Sequence, residues 1–145
     1  MLVAAPRSPS FAQLHMPNWS PVFLPADVPR PKGPYSPAVR AGEFLYVSGQ
    51  TPRDLVSGEL RGGDVATQTR VVLSNVQTVV AQAGGGMSDV VSVTVYLQHA
   101  DDWGAMNDVY KEFFTEPFPT RTTVGAELRD ILVEISAVAY LRRDP

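Results

Sequence analysis

The chain has 145 residues, enough for one domain with a real core, and its 44% hydrophobic and 19% charged content argues against a disordered chain. Net charge is −3 at pH 7, which speaks against a phosphate-tracking surface and a nucleic-acid partner. Cysteine is absent and the two histidines, His15 and His99, are far apart, so disulfides, a thiolate nucleophile and a His- or Cys-based metal set are excluded.

No apolar run reaches the roughly 18 residues of a membrane span, and the N-terminus lacks the continuous apolar segment of a secretory signal. A cytoplasmic protein with no membrane partner is expected. Prolines then crowd the start of the chain: Pro6, Pro9, Pro17, Pro21, Pro25, Pro29 and Pro31. Each removes an amide donor and disfavours helix in its predecessor. Residues 1–30 therefore read as an irregular N-terminal extension and residues 31–145 as the domain. Phe11, Trp19, Phe23 and Leu24 leave open a reading in which the extension packs onto the domain or onto a neighbour. Met16 is a second candidate start, which would make residues 1–15 dispensable.

Order is expected from Gly33. Val39–Ala41 and Phe44–Ser48 read as strands around a Gly42-Glu43 turn. Ser48-Gly49 ends the second of them, where a hydroxyl and an accessible amide can be presented. Asp64 is an N-cap candidate, and Val65, Val72, Val76, Val79, Val80 and Ala83 recur at helical spacing with Gln68 and Asn75 among the intervening polar residues. Gly84-Gly85-Gly86 stops that helix; a phosphate-binding loop would precede its helix instead.

Val90–Leu97 alternates like a strand with one apolar face. A second helix is expected over 101–115, capped by Asp101 or Asp102, with Trp103, Met106, Tyr110 and Phe113 as its buried stripe and Asn107 beside it. Arg121 opens a β-branched strand after Phe118-Pro119. The last strand, Ile131–Leu141, has one wholly apolar face (Val133, Ile135, Ala137, Ala139) and one lone acid, Glu134. The order β-β-α-β-α-β-β is that of an α+β fold with two helices on one face of a sheet. Its other face keeps Leu132, Val138 and Tyr140, too apolar for water, and is expected to be covered by further copies of the chain.

Arg121 is always ionised and offers a planar fork that matches a carboxylate. Glu134 is either its salt-bridge partner or a carboxylate that holds a water or carries a proton. Tyr35, Ser48 and Thr123 add hydroxyls. Such a set suits placement of a labile substrate and proton transfer through water, as for imines and enamines, rather than peptide or phosphodiester cleavage.

Six stretches carry a resemblance: 33–39 (GPYSPAV), 45–52 (LYVSGQTP), the helix bearing Gln68, Asn75 and Val76, 107–114 (NDVYKEFF), 118–124 (FPTRTTV) and 133–139 (VEISAVA). Together, in this order over residues 28–141, they resemble the RidA family (YjgF-like, reactive intermediate deaminases). The resemblance implies a chorismate-mutase-like fold and a homotrimer whose sheets form a central barrel, with sites between subunits. It also implies cofactor-free hydrolysis of 2-imino or 2-enamino acids to 2-oxo acids and ammonia. By the same resemblance Arg121 is the carboxylate anchor and Glu134 belongs to the water or proton path, while Tyr35, Ser48, Gly49 and Asn107 are pocket residues. Thr123 stands where the family's archetypal members have Cys, and the turn over 127–131 is shorter than theirs, which points to a divergent subgroup. The alternative function is a carboxylate-binding regulatory protein that keeps Arg121 but performs no chemistry. A ribonuclease conflicts with the acidic composition and the lack of a histidine pair.

Overall fold

Asp64 caps a helix as its position predicts. In the computed structural model, which describes residues 16–142, its carboxylate accepts the Thr67 amide at 2.9 Å at the start of α1 (Val65–Gln82). The helix gives way at Gly84, whose φ of +90° is left-handed backbone that a side chain would resist. The second helix, α2 (Trp103–Phe113), follows a 3-10 turn at Ala100–Asp102.

Six strands form one sheet: β1 (Ser20–Val22), β2 (Ala38–Ala41), β3 (Phe44–Gln50), β4 (Val90–Leu97), β5 (Thr120–Gly125) and β6 (Val133–Tyr140). Their spatial order is β1-β2-β3-β6-β4-β5, so the last strand inserts at the centre. Neighbours are antiparallel except β4 and β5, a parallel pair joined through α2. The expected α+β order is present, with β1 added at one edge.

Alternation along β6 separates two faces. Val133, Ile135, Ala137 and Ala139 are buried in one core with Val72, Val76, Val79 and Val80 of α1 and Met106 and Tyr110 of α2, so both helices cover the same side. On the other side Glu134, Ser136 and Val138 are only half-buried. Phe44, Tyr46 and Tyr140 are exposed there, the Phe44 and Tyr140 rings 5.4 Å apart.

The structure corrects several expectations. Order starts before Gly33: Ser20, Pro21 and Val22 pair with Arg40, Val39 and Ala38, and Val22 and Leu24 pack on the core. Pro21 is tolerated because β1 is an edge strand with few ladder bonds to lose. Phe11 and the rest of 1–15 lie outside the described residues. Gln68 and Asn75, the polar residues between the apolar positions of α1, are buried, and each satisfies loop backbone. Gln68 Oε1 accepts the Leu132 amide at 2.8 Å, and Asn75 Nδ2 donates to the Thr51 and Arg53 carbonyls at 3.1 and 2.8 Å. The second helix is shorter than expected, and its buried arc centres on Met106, Val109 and Tyr110; Trp103, in the first turn, stays 43% exposed. Asp102 stands at the N-cap but makes no side-chain capping bond.

Candidate functional site

The register of β3 against β6 slips between Val47 and Gln50, which makes Ser48-Gly49 a bulge. Ser48 ties the preceding loop to this bulge: its Oγ donates to the Ser36 carbonyl at 2.6 Å and its amide to the Pro37 carbonyl at 3.0 Å. Gly49 lies directly against Glu134, so that a Cβ built there overlaps Glu134 Oε1. Only glycine leaves that carboxylate its place. Glu134 is half-buried, and this burial raises its pKa above the ordinary carboxylate value. Tyr35, 60% exposed, stands at the mouth of a hollow of about 420 Å³ that Gly49, Gln50 and Asn75 also line.

A second group forms at the far edge of the sheet. Arg121 and Thr123 of β5 are in register with Val93 and Val95 of β4, which face the helices, so both side chains stand on the helix side. The Arg121 guanidinium lies 4.8 Å from the centre of the Tyr110 ring of α2. It makes no ion pair among the described residues. Asn107, Tyr110, Lys111, Phe118, Pro119 and Arg121 surround a hollow of about 300 Å³. Asn107 Oδ1, Tyr110 OH and Thr123 Oγ1 are buried with no hydrogen-bond partner. Burial raises the Tyr110 pKa, partly opposed by the Arg121 charge. A guanidinium with no ion pair among the described residues, beside three unmatched polar atoms, is chemically suited to hold a polar, anionic group.

The predicted residues thus fall into two sets. Tyr35, Ser48, Gly49 and Glu134 gather at the β3–β6 seam, while Asn107, Arg121 and Thr123 gather at β5. Glu134 is paired with Tyr96, on the opposite face from Val93 and Arg121, and β4 lies between β6 and β5. Two strand spacings, roughly 10 Å, and the sheet itself separate them. The reading of Glu134 as the salt-bridge partner of Arg121 within one chain is therefore overturned. None of residues 127–131 lines either hollow. Sequence reasoning treated Tyr110 only as core and passed over Lys111. Their signal was spacing, since both follow Asn107 at i+3 and i+4 on α2, the positions that share a helix face. Among the described residues no three His, Asp or Glu side chains gather as a metal site, and no helix is long and apolar enough to cross a membrane.

Comparison with known proteins places this geometry in a family. The family described as Endoribonuclease L-PSP matches residues 26–141. A RutC family protein of Pyrococcus horikoshii is 44% identical over 121 residues, which cover 82% of this chain and 96% of that protein. The 2-iminobutanoate/2-iminopropanoate deaminase of Dermatophagoides farinae is 41% identical over 115 residues, 78% of this chain and 90% of that one. In three dimensions the chain is similar to RidA from the Antarctic bacterium Psychrobacter sp., with a TM-score of 0.77 and 31% identity, covering 84% of this chain and all (100%) of that one. A match over residues 26–141, and over nine-tenths or more of each of these relatives in sequence and in fold, leaves one conclusion: the chain belongs to the RidA/YjgF/L-PSP (RutC) family.

Proposed function

We propose that this protein is a cofactor-free hydrolase that converts 2-imino and 2-enamino acids to 2-oxo acids and ammonia. It works as a homotrimer, with Arg121 of one copy and Glu134 of the next meeting at each site. The observation that carries this reading is the split itself. Arg121 has a free charge, unmatched polar neighbours and no acid, while Glu134 has a water-reachable carboxylate and no cation. Two half-sites on opposite faces become one site when copies pack face to edge, which also covers the apolar sheet face. The deaminase name carried by the Dermatophagoides farinae relative supports the chemistry.

In this arrangement Arg121 binds the substrate carboxylate as a charged, bidentate pair, and Asn107 and Thr123 supply neighbouring polar contacts. Tyr35, Ser48 and Gly49 shape the pocket around C2. Glu134 holds a water against C2 and accepts one of its protons. The water oxygen bonds to C2, Glu134 passes the proton it took on to the nitrogen, and the hydroxyl's remaining proton follows as the C=O forms, so that the C–N bond breaks and nitrogen leaves as ammonia with both water protons. An enamine first takes a proton at C3 and gives one up from nitrogen, which makes it the imine.

A non-catalytic carboxylate binder is the second reading, favoured by the fact that the Arg121 hollow is lined by residues of one chain without Glu134. One experiment separates the two. Imino acid is generated in situ by an amino-acid oxidase and 2-oxo acid release is followed. The deaminase reading expects wild type to exceed the uncatalysed rate and Arg121→Ala to abolish the excess. Equal rates for wild type, Arg121→Ala and buffer overturn it, and 2-oxo acid binding that depends on Arg121 then identifies the binder.

A further inference from the structure

The hollow beside Gly49 and Tyr35 has a charge character opposite to that of the chain as a whole. Three cations line it, Arg30, Lys32 and Arg53, against a single acid, Asp54. That acid is already committed: its Oδ2 accepts Arg61 Nη2 at 3.0 Å, and its Oδ1 accepts the Val56 and Ser57 amides at 3.0 and 2.9 Å. None of the three cations has an ion-pair partner among the described residues. In a chain of net charge −3 this is a local reversal, and it sits against the residues that shape the reaction pocket.

The cations also stand on built supports. The Arg30 guanidinium lies 3.9 Å from the centre of the Phe23 ring. Arg53 Nη1 donates to the Gly58 carbonyl at 3.3 Å, and the buried Asn75 amide grips the Arg53 and Thr51 carbonyls from the helix below. At about 420 Å³ the hollow is within the range of small-molecule pockets, and larger than a short imino acid needs.

We infer that this hollow receives the far end of the substrate and selects one that carries a second carboxylate, so that the preferred substrates are 2-imino or 2-enamino dicarboxylic acids. The inference rests on the deaminase reading above and adds a substrate class to it. The α-carboxylate lies on Arg121 of the partner subunit, C2 lies by Glu134, and the side chain passes Gly49 and Tyr35 into the cationic hollow. A neutral side chain leaves those cations to water and gains no charged hydrogen bond.

The test compares 2-iminoglutarate, formed from glutamate by a glutamate oxidase, with 2-iminopentanoate, formed from norvaline by an amino-acid oxidase. Release of 2-oxo acid above the uncatalysed rate is measured with the full chain. One charged hydrogen bond to the second carboxylate raises kcat/KM for the acidic imine over the neutral one by roughly tenfold or more. Arg30→Gln, Lys32→Gln and Arg53→Gln each move that ratio towards one, and Arg30→Glu with Lys32→Glu inverts it. A ratio taken on one preparation does not depend on how much of a variant folds. Equal wild-type rates on both imines, or a preference that all three neutral variants leave unaltered, overturn the inference while the deaminase reading stands. No turnover of either imine overturns both.

Discussion

Arg121 and Glu134 stand on opposite faces of one sheet, with β4 between their strands. If the two act on one substrate they must come from different copies, and that makes a complementation test possible. Arg121→Ala and Glu134→Ala chains are each expected to be inactive alone. Co-refolded in equal amounts, they regain activity, because roughly a quarter of interfaces in randomly mixed rings pair an intact Arg121 with an intact Glu134. A mixture as inactive as its components would overturn the arrangement in which Arg121 of one copy and Glu134 of the next share a site.

The missing side chain at Gly49 is what leaves room for Glu134. Gly49→Ala pushes that carboxylate aside, and misplacement by about an ångström is enough to cost up to roughly 100-fold in turnover. Since Glu134 is half-buried and has a flexible stem, thermal stability changes little. A variant that keeps full activity would show that the position of Glu134 does not matter to the reaction.

Burial raises the Glu134 pKa above its ordinary 4.5. The folded protein then holds this proton more tightly than the unfolded chain does. The group contributes stability that is fully present below pH 4.5 and lost as pH rises through the raised value. Glu134→Gln removes this dependence, so the melting temperature of wild type relative to the variant is highest in acid and falls as pH increases above 4.5. The rate shows the complementary limb: wild-type activity rises with pH through the same window as the carboxylate form appears, and Glu134→Gln lacks that rise. Parallel pH–stability curves for the two proteins would remove the argument.

Thr123 Oγ1 is buried without a partner, so the folded chain gains nothing from that hydroxyl. Thr123→Val keeps the shape and removes an unmatched polar atom, a change expected to be neutral or stabilising. Ligand affinity moves the other way, with KM rising by roughly tenfold for the loss of one hydrogen bond. A thermal scan beside a KM measurement checks both directions, and a stability loss without a KM change would assign Thr123 to packing alone.

Asn75 holds the backbone on which the cationic hollow stands. Asn75→Ala leaves the Thr51 and Arg53 carbonyls without those bonds and costs about 1–3 kcal/mol in denaturant-induced unfolding. Asn75→Asp keeps the size but removes the donor, and is expected to be as costly. If both variants match wild type, the two bonds are of no account to stability.

Much of the chain's architecture was legible before the fold was known, and the errors have physical causes. The 3.6 and 2.0 periods place α1, β4 and β6, because burial of one face leaves its mark at regular spacing. Asp64 announces its helix because capping is local chemistry. The burial of Gln68 and Asn75 is not legible in the sequence because an amide that bonds distant backbone looks there like one that bonds water. Residues 20–22 were misread because a three-residue edge strand is too short to show a period and contains a proline.

Among the site residues the same boundary holds. The sequence by itself determined which groups are unusual: an Arg at the head of a β-branched strand, an acid within an apolar one, a Ser-Gly at a strand end, and the family framework around them. Tertiary structure alone decided which of them meet. Strand order and the parallel or antiparallel register of β4, β5 and β6 assign Arg121 and Glu134 to opposite faces, and those are set by contacts between segments remote in sequence, which no local period records.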